Sequence, residues 1–318
     1  MKICVLNDSY FNFGDLSWDA LNEFGEVSIF HTHADSMDEY KRRALDADII
    51  VGDQPMPREL IAASQRLRYI TLTATGFDGV DTAFARERGI AVSNVPSYGT
   101  TSVSQFAIAL LMEVCSHTAY FDGRVRQGHW RDCGAECAGE HRLIELAGKT
   151  MGIIGFGRIG RAVGAVAKAL GMNVIAYNRS RCPEGEAIAE YVPLDELFAR
   201  ADVISLHCPA NAATIGIINR DSIAKMKDGV IIINNGRGSL IRSADLAEAL
   251  ESGKVWAAGL DVVEHEPIPA DDPLLRAPRC IITPHISWLP KESRQRIVDC
   301  TVENIRAFLA GAPQNVVN

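Results

Sequence analysis

Three features of the sequence predict an α/β fold with two doubly wound parallel sheets. Short apolar runs alternate with amphipathic stretches, the alternation restarts at Met151, and a glycine-rich turn sits between a strand and a helix. In the first series, residues 3–6, 27–30, 49–51, 69–72 and 91–93 read as strands, and 37–45, 58–64 and 82–88 have helical period. This βαβ rhythm buries both faces of a parallel sheet. A long helical stretch follows from Thr100 to about Gln127. Its Phe106, Leu110, Met112 and Val114 are too many apolar groups for a solvated face, so it should pack against something large. The second series opens with Met151-Gly152-Ile153-Ile154 and continues with strands at 174–177, 203–206, 230–233, 257–260 and 281–283. A final amphipathic helix spans 291–309, and no solenoid-period repeat or low-complexity linker is present.

The 318 residues, 47% hydrophobic and 23% charged, suffice for one large or two ordinary domains. The apolar run at 106–112 is far short of the roughly 18 residues a membrane span needs. The opening Met1-Lys2-Ile3-Cys4-Val5-Leu6-Asn7-Asp8 reads as a strand rather than a signal peptide, so a cytoplasmic location is expected. A net charge of −8 argues against nucleic acid and anionic membranes as partners. Without a signal peptide the eight cysteines are expected to be mainly reduced core thiols, as at Cys4, Cys115, Cys208, Cys280 and Cys300. Cys133, Cys137 and His141 share a one-turn spacing that could gather zinc. The glycines between them favour a surface loop with incidental thiols, and no metal is expected.

Gly155-Phe156-Gly157-Arg158-Ile159-Gly160 directly follows a predicted strand and opens a predicted helix. Gly155 allows a tight turn, Gly157 close backbone approach to a pyrophosphate, and Gly160 close helix–strand packing. The helix N-terminus offers free N–H groups to phosphate, so this context predicts a bound dinucleotide. An NAD-selective site usually ends the next strand with an acidic residue that accepts from the ribose 2′-OH. Here that strand ends Asn178-Arg179-Ser180-Arg181, which suits a 2′-phosphate. NADP or NAD is the expected cofactor, leaning to NADPH. The alternative is an exposed basic turn beside a ribose pocket that accepts both.

Polar residues close three later strands. They are Asn234-Asn235-Gly236-Arg237-Gly238, then Asp261 through Glu266, then Thr283-Pro284-His285. Ligands of open α/β sheets sit beyond the carboxyl ends of strands, so all three segments can face one crevice. Reduction of a 2-oxo acid needs such a set. Arg237 holds the carboxylate and polarises the carbonyl, His285 supplies the proton, and Glu266 orients the histidine and keeps it charged. Singly, Arg237 also reads as a phosphate contact, Glu266 as a surface carboxylate and His285 as a core histidine. Their joint placement downstream of the glycine turn favours catalysis.

With these residues, and with Thr73-Ala74-Thr75-Gly76-Phe77-Asp78-Gly79-Val80-Asp81, Asn94-Val95-Pro96, Glu145-Leu146-Ala147-Gly148-Lys149-Thr150 and Ser205-Leu206-His207-Cys208-Pro209, nearly the whole chain resembles the D-isomer-specific 2-hydroxyacid dehydrogenase family. The resemblance implies Arg237, Glu266 and His285 as the catalytic set and Asp261 as the holder of the nicotinamide carboxamide. Backbone N–H groups around Thr75 and Gly76 would hold the substrate carboxylate. Implied cofactor contacts are Val103, the turn Gly155, Phe156, Gly157, Arg158, Ile159 and Gly160, then Asn178, Arg179, Ser180, Cys208, Pro209, Thr214, Asn235, Gly236, Asp261 and His285.

It also implies a Rossmann nucleotide domain, residues 99–285, inserted into a flavodoxin-like substrate domain formed by 1–98 and 286–318. Hinges would lie near 96–100 and 284–287, and the long helix would mediate a homodimer. Trp288, just past His285, would shorten the pocket and favour a small 2-oxo acid, hydroxypyruvate first and glyoxylate second. Gln105 stands where family members often carry Glu, and keeps the hydrogen-bonding shape. A nucleotide-sensing corepressor on this fold is the rival from another class, weakened by the complete catalytic set. A phosphoglycerate dehydrogenase or a bulkier 2-oxo acid reductase is the rival among enzymes.

Overall fold

The computed structural model describes residues 1–53 and 55–318, the side chains of residues 135, 137 and 138 excepted. The chain divides into two units, Met1–Gly99 with Trp288–Asn318, and Thr100–Ser287.

In the first unit, strands β1 (Lys2–Val5), β2 (Glu26–Ile29), β3 (Ile49–Gly52), β4 (Tyr69–Leu72) and β5 (Ala91–Ser93) form a wholly parallel sheet in the order β2-β1-β3-β4-β5. Side chains alternate across it with the two-residue period of extended chain. Ile3, Val5, Ile49, Val51 and Tyr69 point to one face, where Ile297, Val298, Val302 and Ile305 of the helix Lys291–Leu309 cover them. Cys4, Ile50, Ile70 and Leu72 point to the other, under Ala44, Leu60, Ile61 and Ala85 from three short helices. Each fully buried Ile, Leu or Val contributes about 1.5–3 kcal/mol, so both faces must stay covered for the unit to hold. Residues 314–318 lie along β5. Val317 N–H donates to Val92 O at 2.8 Å, Asn94 N–H to Asn315 O at 3.1 Å, and Ser93 pairs antiparallel with Val316.

The second unit holds β6 (Thr150–Ile154), β7 (Asn173–Tyr177), β8 (Glu190–Tyr191), β9 (Val203–Leu206), β10 (Val230–Asn234), β11 (Val255–Leu260) and β12 (Cys280–Ile282). Their order is β12-β11-β10-β9-β6-β7-β8, parallel throughout. The winding reverses between β6 and β9, which opens a crevice at the carboxyl ends of that pair. The strands fall within one or two residues of those predicted, except β8, whose two residues are too short to carry a period.

The long helical stretch expected over 100–127 is two helices, Thr100–Ser116 and Thr118–Arg126. The break is His117, at φ 51° in the left-handed region. The Glu113 carboxylate causes it by accepting from the Thr118 hydroxyl and, at 3.1 Å, from the Ala119 N–H, which caps a new helix start. The first helix buries Ala107, Leu110, Leu111, Val114 and Cys115 against Met151, Ile153, Val163, Ala167 and Ala257 of its own unit. Gly259 makes room, since a Cβ there would meet Leu110 Cβ at 3.0 Å. Among the described residues no helix is long and apolar enough to cross a membrane, and no three His, Cys, Asp or Glu gather as a metal site.

Cys4, Cys115, Cys208, Cys280 and Cys300 are free thiols, as expected. Cys133 is disulfide-bonded, so the reduced state expected of the cysteines does not extend to it. The Cys137 side chain of the grouping weighed for zinc lies outside the described residues.

Candidate active site

The glycine turn closes β6 at the switch point. Gly155 sits at φ +93°, and a Cβ there would collide with the backbone of His207 and Cys208 beyond β9. Only glycine lets the two strand ends come this close. A Cβ on Gly160 would strike Gly155 O, so the helix Arg158–Ala169 can press onto β6 only without one. Gly157 faces open space. The N–H groups of Arg158, Ile159 and Gly160 open that helix with no acceptor four residues earlier, which leaves them for an anion. Ile159 is partly buried and Phe156 fully so, both packed beneath the turn.

Asn178 at the end of β7 accepts from Phe156 N–H at 3.3 Å and donates to Ser180 O at 2.8 Å, tying the two loops together. Arg179 and Ser180 are exposed, whereas Arg181 lies over the Tyr191 ring at 5.6 Å. Beyond β9, Thr214 Oγ1 donates to Pro209 O at 2.6 Å and shapes the loop after Cys208. Burial pushes the Cys208 thiol up to about 11 and the His207 imidazole down to about 4. Both stay neutral at ordinary pH.

Past β10, buried Asn234 builds a turn. Its Oδ1 accepts from Gly236 N–H at 3.1 Å and its Nδ2 donates to Arg237 O at 3.0 Å, which presents Arg237 outward, exposed. Asn235 donates to Val103 O at 2.7 Å, while its buried Oδ1 has no partner. Such an orphan acceptor calls for a ligand donor. With the open space at Gly157 and the bare helix N-terminus, it makes this edge fit a dinucleotide.

Gly238 passes so close to the Val263 carbonyl that a Cβ would overlap it, and Val263 N–H donates to Glu266 Oε1 at 3.2 Å. Glu266 Oε2 lies 2.8 Å from His285 Nδ1. Partial burial pushes the Glu266 carboxyl up. His285, the Val263 N–H and the Arg237 charge outweigh it, so the group sits below the ordinary carboxylate range and stays ionised. The three segments that the sequence marked are thus joined in one contact chain within one unit.

Asp261 is fully buried. It accepts from Thr283 Oγ1 at 2.6 Å, Ile286 N–H at 2.9 Å and Ser287 N–H at 2.8 Å. Its carboxylate therefore fixes the turn on which His285 stands, at φ 54°. Sequence reasoning assigned Asp261 to the cofactor alone and missed this task, as it missed Asn234. The Asn-x-Gly pattern of residues 234–236 was the available signal for the latter.

In the other unit, Thr75 and Gly76 follow β4. Asn94 Nδ2 donates to Thr75 O at 2.7 Å, and Thr75 Oγ1 to Val95 O at 2.7 Å. The backbone N–H groups of Thr75 and Gly76 donate to no backbone carbonyl among the described residues. Trp288 lies in this unit, its ring 6.3 Å from that of Tyr10.

Hydride chemistry at a carbonyl requires a nucleotide cradle and a proton donor on one sheet edge, and the second unit defines that class, a nucleotide-dependent dehydrogenase. The chain belongs to the D-isomer-specific 2-hydroxyacid dehydrogenase family, whose NAD binding domain matches residues 108–287. It is 52% identical over 321 residues, covering all of both chains, to a hydroxypyruvate reductase of Blautia hydrogenotrophica. Among solved structures it resembles a glyoxylate reductase from Paecilomyes thermophila, with TM-score 0.85, 34% identity, and 100% and 98% of the two chains covered. It also resembles an acyclic imino acid reductase in complex with NADPH and D-Arg, with TM-score 0.87, 29% identity and full coverage of both chains. The enzyme is an NAD(P)-dependent dehydrogenase acting on a CH–OH group of a small molecule.

Proposed function

We propose that this enzyme reduces hydroxypyruvate to D-glycerate and, second, glyoxylate to glycolate, with NADPH preferred over NADH. The observation that carries the reading is the 2.8 Å contact between His285 and an ionised Glu266 in reach of the Arg237 charge. A reduced nicotinamide cofactor held by the residues named below would supply the hydride for the substrate C2. His285 gives a proton to the developing alkoxide, and Glu266 orients the imidazole for that transfer. Arg237 grips the substrate carboxylate and draws electron density from the carbonyl. Backbone N–H groups at Thr75 and Gly76 are proposed to bind the substrate carboxylate, and Trp288 to limit the size of its side chain.

Residues 155–160, Asn178, Arg179, Ser180, Cys208, Pro209 and Thr214 hold the adenosine and phosphate portions. Val103, Asn235, Gly236, Asp261 and His285 hold the nicotinamide end. The first unit serves as substrate domain and the second as nucleotide domain. Exposed Met112, Tyr120, Val125 and Trp130 on and after the broken helix support a homodimer, in a cytoplasmic setting.

The test is kcat/KM for hydroxypyruvate, glyoxylate, pyruvate and phenylpyruvate, each with NADH and NADPH. Hydroxypyruvate with NADPH should rank first. A highest value for phenylpyruvate would remove the small-substrate reading.

A further inference from the structure

Beyond the glycine turn and the catalytic set, the first unit carries a cluster that nothing above uses. Tyr10, Asp53 and Thr73 follow β1, β3 and β4, three adjacent strands, so they gather at the carboxyl edge of that sheet. The Tyr10 hydroxyl is hydrogen-bonded to Thr73 Oγ1. Thr73 itself is buried and lies two residues before Thr75. The rings of Tyr10 and Tyr98 stand 6.3 and 6.4 Å from that of Trp288. Burial first, then the charge of Asp53, holds the Tyr10 phenol well above its ordinary range, so it stays a neutral donor and acceptor facing a carboxylate.

We infer that Tyr10, with Thr73 and Asp53, forms the subsite for the 3-hydroxyl of the substrate and selects a hydroxymethyl ketone over a methyl one. The inference rests on the 2-oxo acid reading and adds the residue that sets its preference. Two hydroxyls that share one hydrogen bond keep a second hydrogen and spare lone pairs between them. An alcohol can accept from that pair while donating to Asp53. A methyl group does neither, and sites that hydrogen-bond a substrate hydroxyl reject the analogue that lacks it. The Asp53 charge also repels a second carboxylate or a phosphate at the same carbon. The substrate carboxylate would lie a few residues along the same strand end, at Thr75 and Gly76, so one short segment reads both ends of a three-carbon acid.

The test compares kcat/KM for hydroxypyruvate and pyruvate in the wild type, in Tyr10→Phe and in Asp53→Ala. The wild type should favour hydroxypyruvate by about a hundredfold or more. Either variant should lower that ratio at least about tenfold, the worth of one good hydrogen bond. Equal losses on both substrates in both variants, or an unchanged ratio, overturn the subsite. Wild type without discrimination overturns it while leaving 2-oxo acid reduction standing. Failure to reduce any 2-oxo acid removes the underlying reading as well.

Discussion

Nδ1 of His285 meets Oε2 of Glu266 at 2.8 Å, while the backbone of the same histidine holds a left-handed φ of 54°. A carboxylate on Nδ1 orients the ring so that Nε2 is the nitrogen that serves the substrate in the proposed reduction. Glu266→Gln keeps the shape of the partner but removes its charge, and should cut kcat roughly 10²-fold with cofactor affinity unchanged. A variant with near-native kcat would show that Glu266 is not the partner.

Arg237 stands outward on the Asn234 turn, and its guanidinium donates to the carbonyl of Gly236 at 2.9 Å. Lysine keeps the charge but loses the planar two-point grip on a carboxylate. Arg237→Lys should lower kcat/KM for hydroxypyruvate about 10²-fold, with cofactor affinity measured by fluorescence little changed. A loss confined to cofactor affinity would make Arg237 a phosphate contact instead.

Asp261 satisfies three donors, two of them backbone N–H groups just past His285. In Asp261→Asn one acceptor becomes a donor facing another donor. The expected cost is about 2–3 kcal/mol in denaturant unfolding, and kcat should fall with it because His285 loses its fixed seat. A variant with native stability and native kcat would mean the staple is redundant.

The cofactor loop makes a separate prediction. Asn178 already bonds Phe156 and Ser180, and Arg179 remains exposed for a phosphate. Asn178→Asp with Arg179→Ala should shift the NADPH-to-NADH ratio of kcat/KM at least about tenfold toward NADH. An untouched ratio means that this loop does not read the 2′-phosphate.

His207 packs against the glycine turn with Nε2 2.8 Å from Ser205 Oγ, and burial holds it near 4 against an ordinary 6.5. The unfolded chain therefore takes up this proton first. Stability from His207 is complete above about pH 6.5 and drains away as pH falls toward about 4, by at most roughly 3 kcal/mol. His207→Asn should flatten that part of the stability–pH curve, and an unchanged slope would assign the acid sensitivity elsewhere.

Much of this was legible because parallel strands buried on both faces are nearly unbroken apolar runs, as Ile231, Ile232 and Ile233 illustrate. The glycine turn and the Arg237, Glu266 and His285 set were legible because each sits just past such a run. The break at His117 was not, since helical spacing continues through it and the cause is Glu113 reaching forward to cap a second helix. Asp261 drew notice for its type and place, but its three partners lie 22 to 26 residues away. Tyr10 drew no notice, because its partner Thr73 is 63 residues distant. Contacts of that range leave no local period to read.

The division of the chain also sets an order of assembly during synthesis. Residues 100–287 are continuous and contain every partner their sheet needs, so they can close as soon as they emerge. The preceding 99 residues cannot, because one face of their sheet waits for Ile297, Val298, Val302 and Ile305, and β5 for the strip at 314–318. The half made first is therefore finished last. Until the ribosome releases the final helix, β5 presents an open edge and the opposite face an apolar surface, which is the interval in which a chaperone would find this protein.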